Sequence, residues 1–201
     1  VMLGGAHYIL KLYEVVCNGI GKLPGAELVL GQPEVWKIGC YYGLVVSGAI
    51  IYERGMKIAE KSCDKFQEKK HRLIFLCAAW LLAFFFLLPS RPAGLSVTFL
   101  DVGQGDGIVL RFASRTILVD CGSSQQKSVG EKVLVPYLRS QGVTYVDFAV
   151  MTHGDQDHIN GIRYLLEHPE SGIRLGGLMM PKAGNDEIYG KMAELAKEQE
   201  I

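Results

Sequence analysis

The run Leu73–Leu88 (LIFLCAAWLLAFFFLL) constrains this chain more than any other feature. With Pro89 and Ser90 it makes 18 uncharged residues between Arg72 and Arg91. A helix that crosses a bilayer needs about 20 mostly apolar residues, with a usual range of about 17–25. A buried core helix is the competing reading, but three consecutive Phe and an apolar surface all the way round speak against it. The run is therefore expected to span a membrane, flanked by basic anchors. A second run, Ile38–Tyr52 (IGCYYGLVVSGAIIY), is shorter and richer in Gly. Trp36, Tyr41, Tyr42 and Tyr52 lie near its ends, where interfacial aromatics belong, and Gly43 and Gly48 suit close helix approach. Candidate spans are thus 36–52 and 72–89.

Charge divides the chain. The formal total is zero, yet residues 1–94 carry 11 Lys/Arg against 7 Asp/Glu and residues 95–201 carry 10 against 14. A net +4 apolar part and a net −4 part of soluble composition predict two domains, 1–94 and 95–201. Within the first, the stretch with Lys11, Glu14 and Lys22 reads as an amphipathic or interfacial helix, and Leu23–Pro33 as a loop. Glu53–Arg72 holds seven Lys/Arg and four Asp/Glu, with Met56, Ala59, Cys63 and Phe66 at helical spacing. It reads as an amphipathic helix, and its basic excess places it in the cytoplasm. Residues 95–201 are then extracytoplasmic. The chain starts inside an apolar run and stops in mid-pattern at Ile201, and reads as an internal part of something longer.

From Leu95 the pattern changes. SVTFLDV, IVLRF and TILVDCG read as strands, with GQGDG a tight turn between the first two. Val129–Gln141 has helical spacing, VDFAVM is a buried strand that enters a loop at Thr152, and Ile159–Glu167 is the following helix. Gly176–Met180 reads as a strand and Asp186–Glu200 as a polar helix. Hairpins followed by alternating helices and strands predict a sheet with helices packed on it. Gly103, Gly105 and Gly107 open no helix, which excludes a dinucleotide fingerprint. Five scattered cysteines without a CxxC pair exclude a disulfide framework or zinc ribbon and read as mostly packed thiols.

The chemistry lies in His153-Gly-Asp155-Gln-Asp157-His158, directly after the strand FAVM. Four potential ligands in six residues, between a strand end and a helix, converge on one small volume. Imidazole and carboxylate suit zinc and, as oxygen content rises, manganese or magnesium. A solvated turn capping the helix at Ile159 is the alternative. Asp101, Asp106 and Asp120 stand at strand ends or in a turn, either as turn formers or as groups near the site.

HxDxDH after an apolar strand resembles the HxHxDH signature of the metallo-β-lactamase fold, with Asp155 at the second histidine's place. FLDVGQGD (99–106), TILVDCG (116–122) and VLVPYLRSQGV (133–143) are similar, in order and spacing, to the C-terminal domain of ComEC-type DNA-internalisation proteins. The resemblance implies a membrane α-helical segment followed by an α/β domain, the first part of an αββα metallo-β-lactamase-like sandwich. It implies two divalent metal ions, zinc or manganese, that clamp a phosphodiester and activate water. His153 and Asp155 would hold one ion and Asp157 and His158 the other, with Asp155 and Asp157 as catalytic carboxylates. It tips Asp106 toward a place near the site.

Implied partners are single-stranded DNA, the membrane and other DNA-uptake components, in a multi-pass protein of the cell membrane. The family continues DHxGG where this chain reads Asp157-His158-Ile159-Asn160-Gly161, and Asn160 is expected to serve as a helix cap. The family's remaining ligands lie in the second half of the fold, so site and sandwich are expected to be incomplete within these residues. An acidic 95–201 counts against nucleic-acid binding, which rests on Lys and Arg. Two bound divalent ions would offset that charge. A transport component without catalysis, or a membrane-tethered hydrolase of another ester, are the alternatives.

Overall fold

Helices come first, as the apolar runs dictate: α1 (Met2–Gly21), α2 (Val35–Ala59) and α3 (Lys65–Leu87). This computed structural model describes residues 2–21, 23, 26, 28–59, 65–88, 93–182 and 186–201. α2 and α3 lie against each other, with Trp36 edge-on to Phe86 (5.5 Å) and Tyr41 edge-on to Trp80 (5.9 Å). Lys37 is buried and its Nζ donates to the Leu88 carbonyl (3.1 Å). A cation there meets the exposed carbonyls and negative dipole end of α3. Apolar side chains such as Leu12, Ile51 and Leu82 remain exposed, the surface a lipid environment would cover. Among the described residues, Val35–Arg54 is long and apolar enough to cross a membrane, and Leu76–Leu87 is a shorter apolar helix.

Two expectations are corrected in this part. Glu53–Arg72 is not a helix of its own: α2 continues through Met56 to Ala59 and α3 begins at Lys65, before Phe66. Helix once nucleated in the apolar runs propagates into the charged stretch at little cost. Cys63 lies outside the described residues. The thiols are not mostly packed either, since Cys17, Cys40 and Cys77 are exposed and Cys121 is buried.

The second part is a five-stranded sheet in the order β1 (Leu95–Phe99), β2 (Gly107–Phe112), β3 (Arg115–Cys121), β5 (Phe148–Val150), β7 (Leu178–Met179). The first three strands pair antiparallel and the last three parallel. VDFAVM splits at Asp147: β4 (Tyr145–Val146) leaves to pair with β6 (Arg174–Leu175), a strand the sequence pattern did not mark. α4 (Val135–Ser140), entered through a wide turn at Gly130–Leu134, and α5 (Gln156–Glu167) pack on one face, and α6 (Asp186–Glu198) follows. Val109, Leu118, Ala149, Leu134, Leu138, Ile162 and Leu166 form this core. On the opposite face, cross-strand register aligns Val97 with Leu110 and Ile117, and Phe99 with Ile108 and Val119. Leu95, Val97, Phe99, Phe112, Phe148 and Met179 there are exposed.

Candidate metal centre

β1 and β3 both pair antiparallel with β2, and β3 and β5 are parallel, so the C-terminal ends of β1, β3 and β5 share one edge. Loops at the carboxyl ends of such strands are where α/β sheets build sites. Three segments meet there: the 100–106 turn, the end of β3, and the link from β5 to α5. The turn is held by the Asp106 N–H on the Asp157 carbonyl (3.2 Å) and the Gly122 N–H on the Asp106 carbonyl (2.9 Å). Gly122 must lack a side chain, because a Cβ would run into the backbone of Asp157 and His158. That close approach brings the start of α5 onto the end of β3.

Asp120, His153 and His158 each present a ligand atom within 4.8 Å of the others. Asp120 is buried and has a left-handed backbone (φ 48°). This conformation costs a non-glycine residue about 1–2 kcal/mol and persists where the surroundings over-determine it. Its Oδ1 accepts from the Thr152 backbone N–H (2.8 Å), and its Oδ2 accepts from the Thr152 hydroxyl (2.6 Å). The same Oδ2 lies 3.1 Å from His158 Nδ1. Thr152 Oγ1 is also 2.8 Å from His153 Nδ1. The two imidazoles lie in contact, their planes tilted by 48° and their centroids 3.6 Å apart.

The carboxylates flanking this cluster are those the sequence marks. Asp155 Oδ2 is 3.7 Å from His153 Nε2, and Asp157 Oδ2 is 3.8 Å from His158 Nε2. Asp106 Oδ2 is 3.6 Å from His158 Nδ1. Asp155 occupies the N-cap position of α5 without making a side-chain capping bond, which leaves its carboxylate available. α5 begins three residues earlier than the spacing predicts, so Asp157 and His158 belong to its first turn. Asp101 is exposed and not among the groups that meet here.

Two further residues depart from the sequence reading. Asn160 is no cap: it sits within α5 and its Nδ2 donates to the Ser123 carbonyl (2.8 Å), tying the helix to the end of β3. Thr152 carries three contacts in the cluster, yet the sequence reading gives it no role. Its place immediately before His153 is the signal that was there to use. Cys121 is next to the cluster in sequence, but burial, helped by Asp120, pushes its thiol up to about 12. Its sulfur packs beside Gly107 and Gly161, and it is not among the ligand atoms that meet here.

Residues 100–177 match the family model described as Metallo-beta-lactamase superfamily. The chain is 30% identical over 131 residues to ComE operon protein 3 of Bacillus subtilis (strain 168), covering 58% of this chain and 16% of that protein. Competence protein ComA of Neisseria gonorrhoeae is 36% identical over 89 residues, 44% of this chain and 12% of its own length. Recombination protein 2 of Haemophilus influenzae (strain ATCC 51907 / DSM 11121 / KW20 / Rd) is 34% identical over 96 residues, 47% of this chain and 12% of its own. The chain therefore spans between 12% and 16% of the length of these curated relatives. The resemblance carried by DVGQGD and THxDxDH thus extends well beyond those motifs: residues 100–177 are similar to the metallo-β-lactamase superfamily, and the chain is similar to ComE operon protein 3 over 131 residues.

Proposed function

We propose that this chain acts in DNA uptake during natural transformation, as a membrane-embedded region (1–94) joined to an extracytoplasmic, metal-dependent phosphodiester hydrolase (95–201). The observation that carries the hydrolase reading is the meeting of His153 and His158 at the carboxyl edge of the sheet, flanked by Asp155 at 3.7 Å and Asp157 at 3.8 Å. One relative's name, Competence protein ComA, supports the biological setting.

The donor set fits a divalent cation. Two imidazoles and several carboxylates meet at one sheet edge, and among the described residues no Lys or Arg pairs with the buried Asp120. His153 and Asp155 would hold one ion and Asp157 and His158 a second, with the buried Asp120 bonded to Thr152 and His158. Bound divalent ions would supply Lewis acidity and activate water for attack at phosphorus. The protein's own part is to hold the donors and exclude competing rotamers: α5 fixes Asp157 and His158, while the bond from Thr152 fixes the loop. Asp155 places a hard oxygen where the family has a nitrogen, which makes manganese an acceptable ion beside zinc.

The test uses full-length protein in detergent with labelled single-stranded DNA. Cleavage is expected with manganese as well as zinc. His153→Ala or Asp157→Ala should lower it by about 100-fold or more, since even groups that only support ligands are worth about 10–100-fold in affinity or activity. The net −4 of residues 95–201 favours a second reading, a transport protein without catalysis. A folded wild type that binds metal yet cleaves no nucleic acid with any ion would establish that reading instead.

A further inference from the structure

We propose that Thr152 is a positioning residue that fixes which nitrogen of His153 carries the proton, and so which one faces the cluster. The Thr152 hydroxyl has a single proton to give. Thr152 Oγ1 lies 2.6 Å from Asp120 Oδ2 and 2.8 Å from His153 Nδ1. A carboxylate oxygen accepts, so the hydroxyl proton goes to Asp120. With its proton spent, Oγ1 can only accept from the imidazole, and His153 Nδ1 must be the N–H. Its Nε2 is then left with a bare lone pair, 3.7 Å from Asp155 Oδ2.

Asp120 imposes the same order on the second imidazole. His158 Nδ1 lies 3.1 Å from Asp120 Oδ2 and donates to it, leaving His158 Nε2 bare, 3.8 Å from Asp157 Oδ2. Asp120 thus receives three donors, the Thr152 N–H, the Thr152 O–H and His158 Nδ1–H. A carboxylate so engaged orders the site from behind, and the bare Nε2 atoms with Asp155 and Asp157 form its front. The tautomer of one ring nitrogen is set by the hydrogen bond the other makes. This inference deepens the metal-centre reading and rests on it for what the bare nitrogens serve.

The experiment reads the tautomer without metal. The full chain in detergent micelles, with ¹⁵N-labelled histidines and a chelator, is recorded by long-range ¹⁵N–¹H correlation above the range where imidazole is charged. His153→Ala identifies the resonance. Wild type should show His153 in the Nδ1–H form. Thr152→Val should shift it toward the Nε2–H form and weaken zinc and manganese binding about 10–100-fold, as loss of an outer partner does. Thr152→Ser, which keeps the hydroxyl, should restore both. The backbone bond from Thr152 to Asp120 survives in either variant. A wild-type His153 in the Nε2–H form overturns the proposal whether or not the variants fold, as does Thr152→Val with an unchanged tautomer. If wild type shows the Nδ1–H form but binds no metal, the metal-centre reading fails and the assignment of Thr152 stands.

Discussion

Asp120 and Asp147 are both buried carboxylates beside β3, and their partners set them apart. Asp120 meets Thr152 and His158 at the carboxyl edge of the sheet. Asp147 accepts from the Thr116 backbone N–H (2.7 Å) and from Arg115 Nη1 (2.8 Å), far from the cluster. Burial pushes the Asp147 carboxyl up, but the Thr116 N–H and the Arg115 guanidinium outweigh it and hold it below the usual aspartate value. A carboxyl lowered in the folded state adds stability that is fully present above the unfolded value of about 3.9 and fades as pH falls through the lower folded value. Asp147→Ala should therefore cost about 1–3 kcal/mol near neutral pH by stranding the buried Thr116 N–H. Thermal unfolding of wild type and variant should converge as pH drops below about 4. A constant gap at all pH would mean that Asp147 acts by packing and not by charge.

At the scale of elements, the sheet has one face under α4 and α5 and one face bare. Leu95, Val97, Phe99, Phe112 and Phe148 lie together on the bare side, an apolar patch of the kind that marks an interface. The αββα resemblance implies that a second sheet covers it. Residues 95–201 expressed alone should accordingly bind hydrophobic dyes and self-associate, and Phe99→Ser with Phe112→Ser should reduce light scattering while far-ultraviolet dichroism is kept. Unchanged association would place the adhesive surface elsewhere. Much of this element was legible from alternation: TILVDCG and IVLRF became β3 and β2, and Val129–Gln141 became the turn and helix at 130–140. Alternation could not show that Asp147 breaks VDFAVM in two, because that break depends on Arg115 and the Thr116 backbone, residues remote in sequence. HGDQDH announced the donors by type. The tie from Asp120 through Thr152 to His153 was hidden for the same reason, since it spans 32 residues and needs a left-handed aspartate.

For the whole molecule, the helical part and the sheet part touch where the Gln32 N–H donates to the Ser140 carbonyl, so the segment before α2 lies on the same side as residues 95–201. The orientation rests on charge: the Lys/Arg excess of residues 53–72 predicts that they face the cytoplasm and residues 95–201 the exterior. A surface-active reporter fused after Ser96 should be active and one fused within 60–66 silent, and the reverse pattern would overturn the outward-facing hydrolase. The central claim is that the carboxyl edge of the sheet is a metal centre fronted by His153, Asp155, Asp157 and His158. Anomalous diffraction from zinc-soaked crystals of the full-length protein tests it most directly. A zinc peak is expected about 2.0–2.1 Å from Nε2 of His153 or His158, with Asp120 bonded to Thr152 and not to the ion. Zinc bound through Asp120 and the Nδ1 atoms, or no zinc at this edge at all, would contradict it.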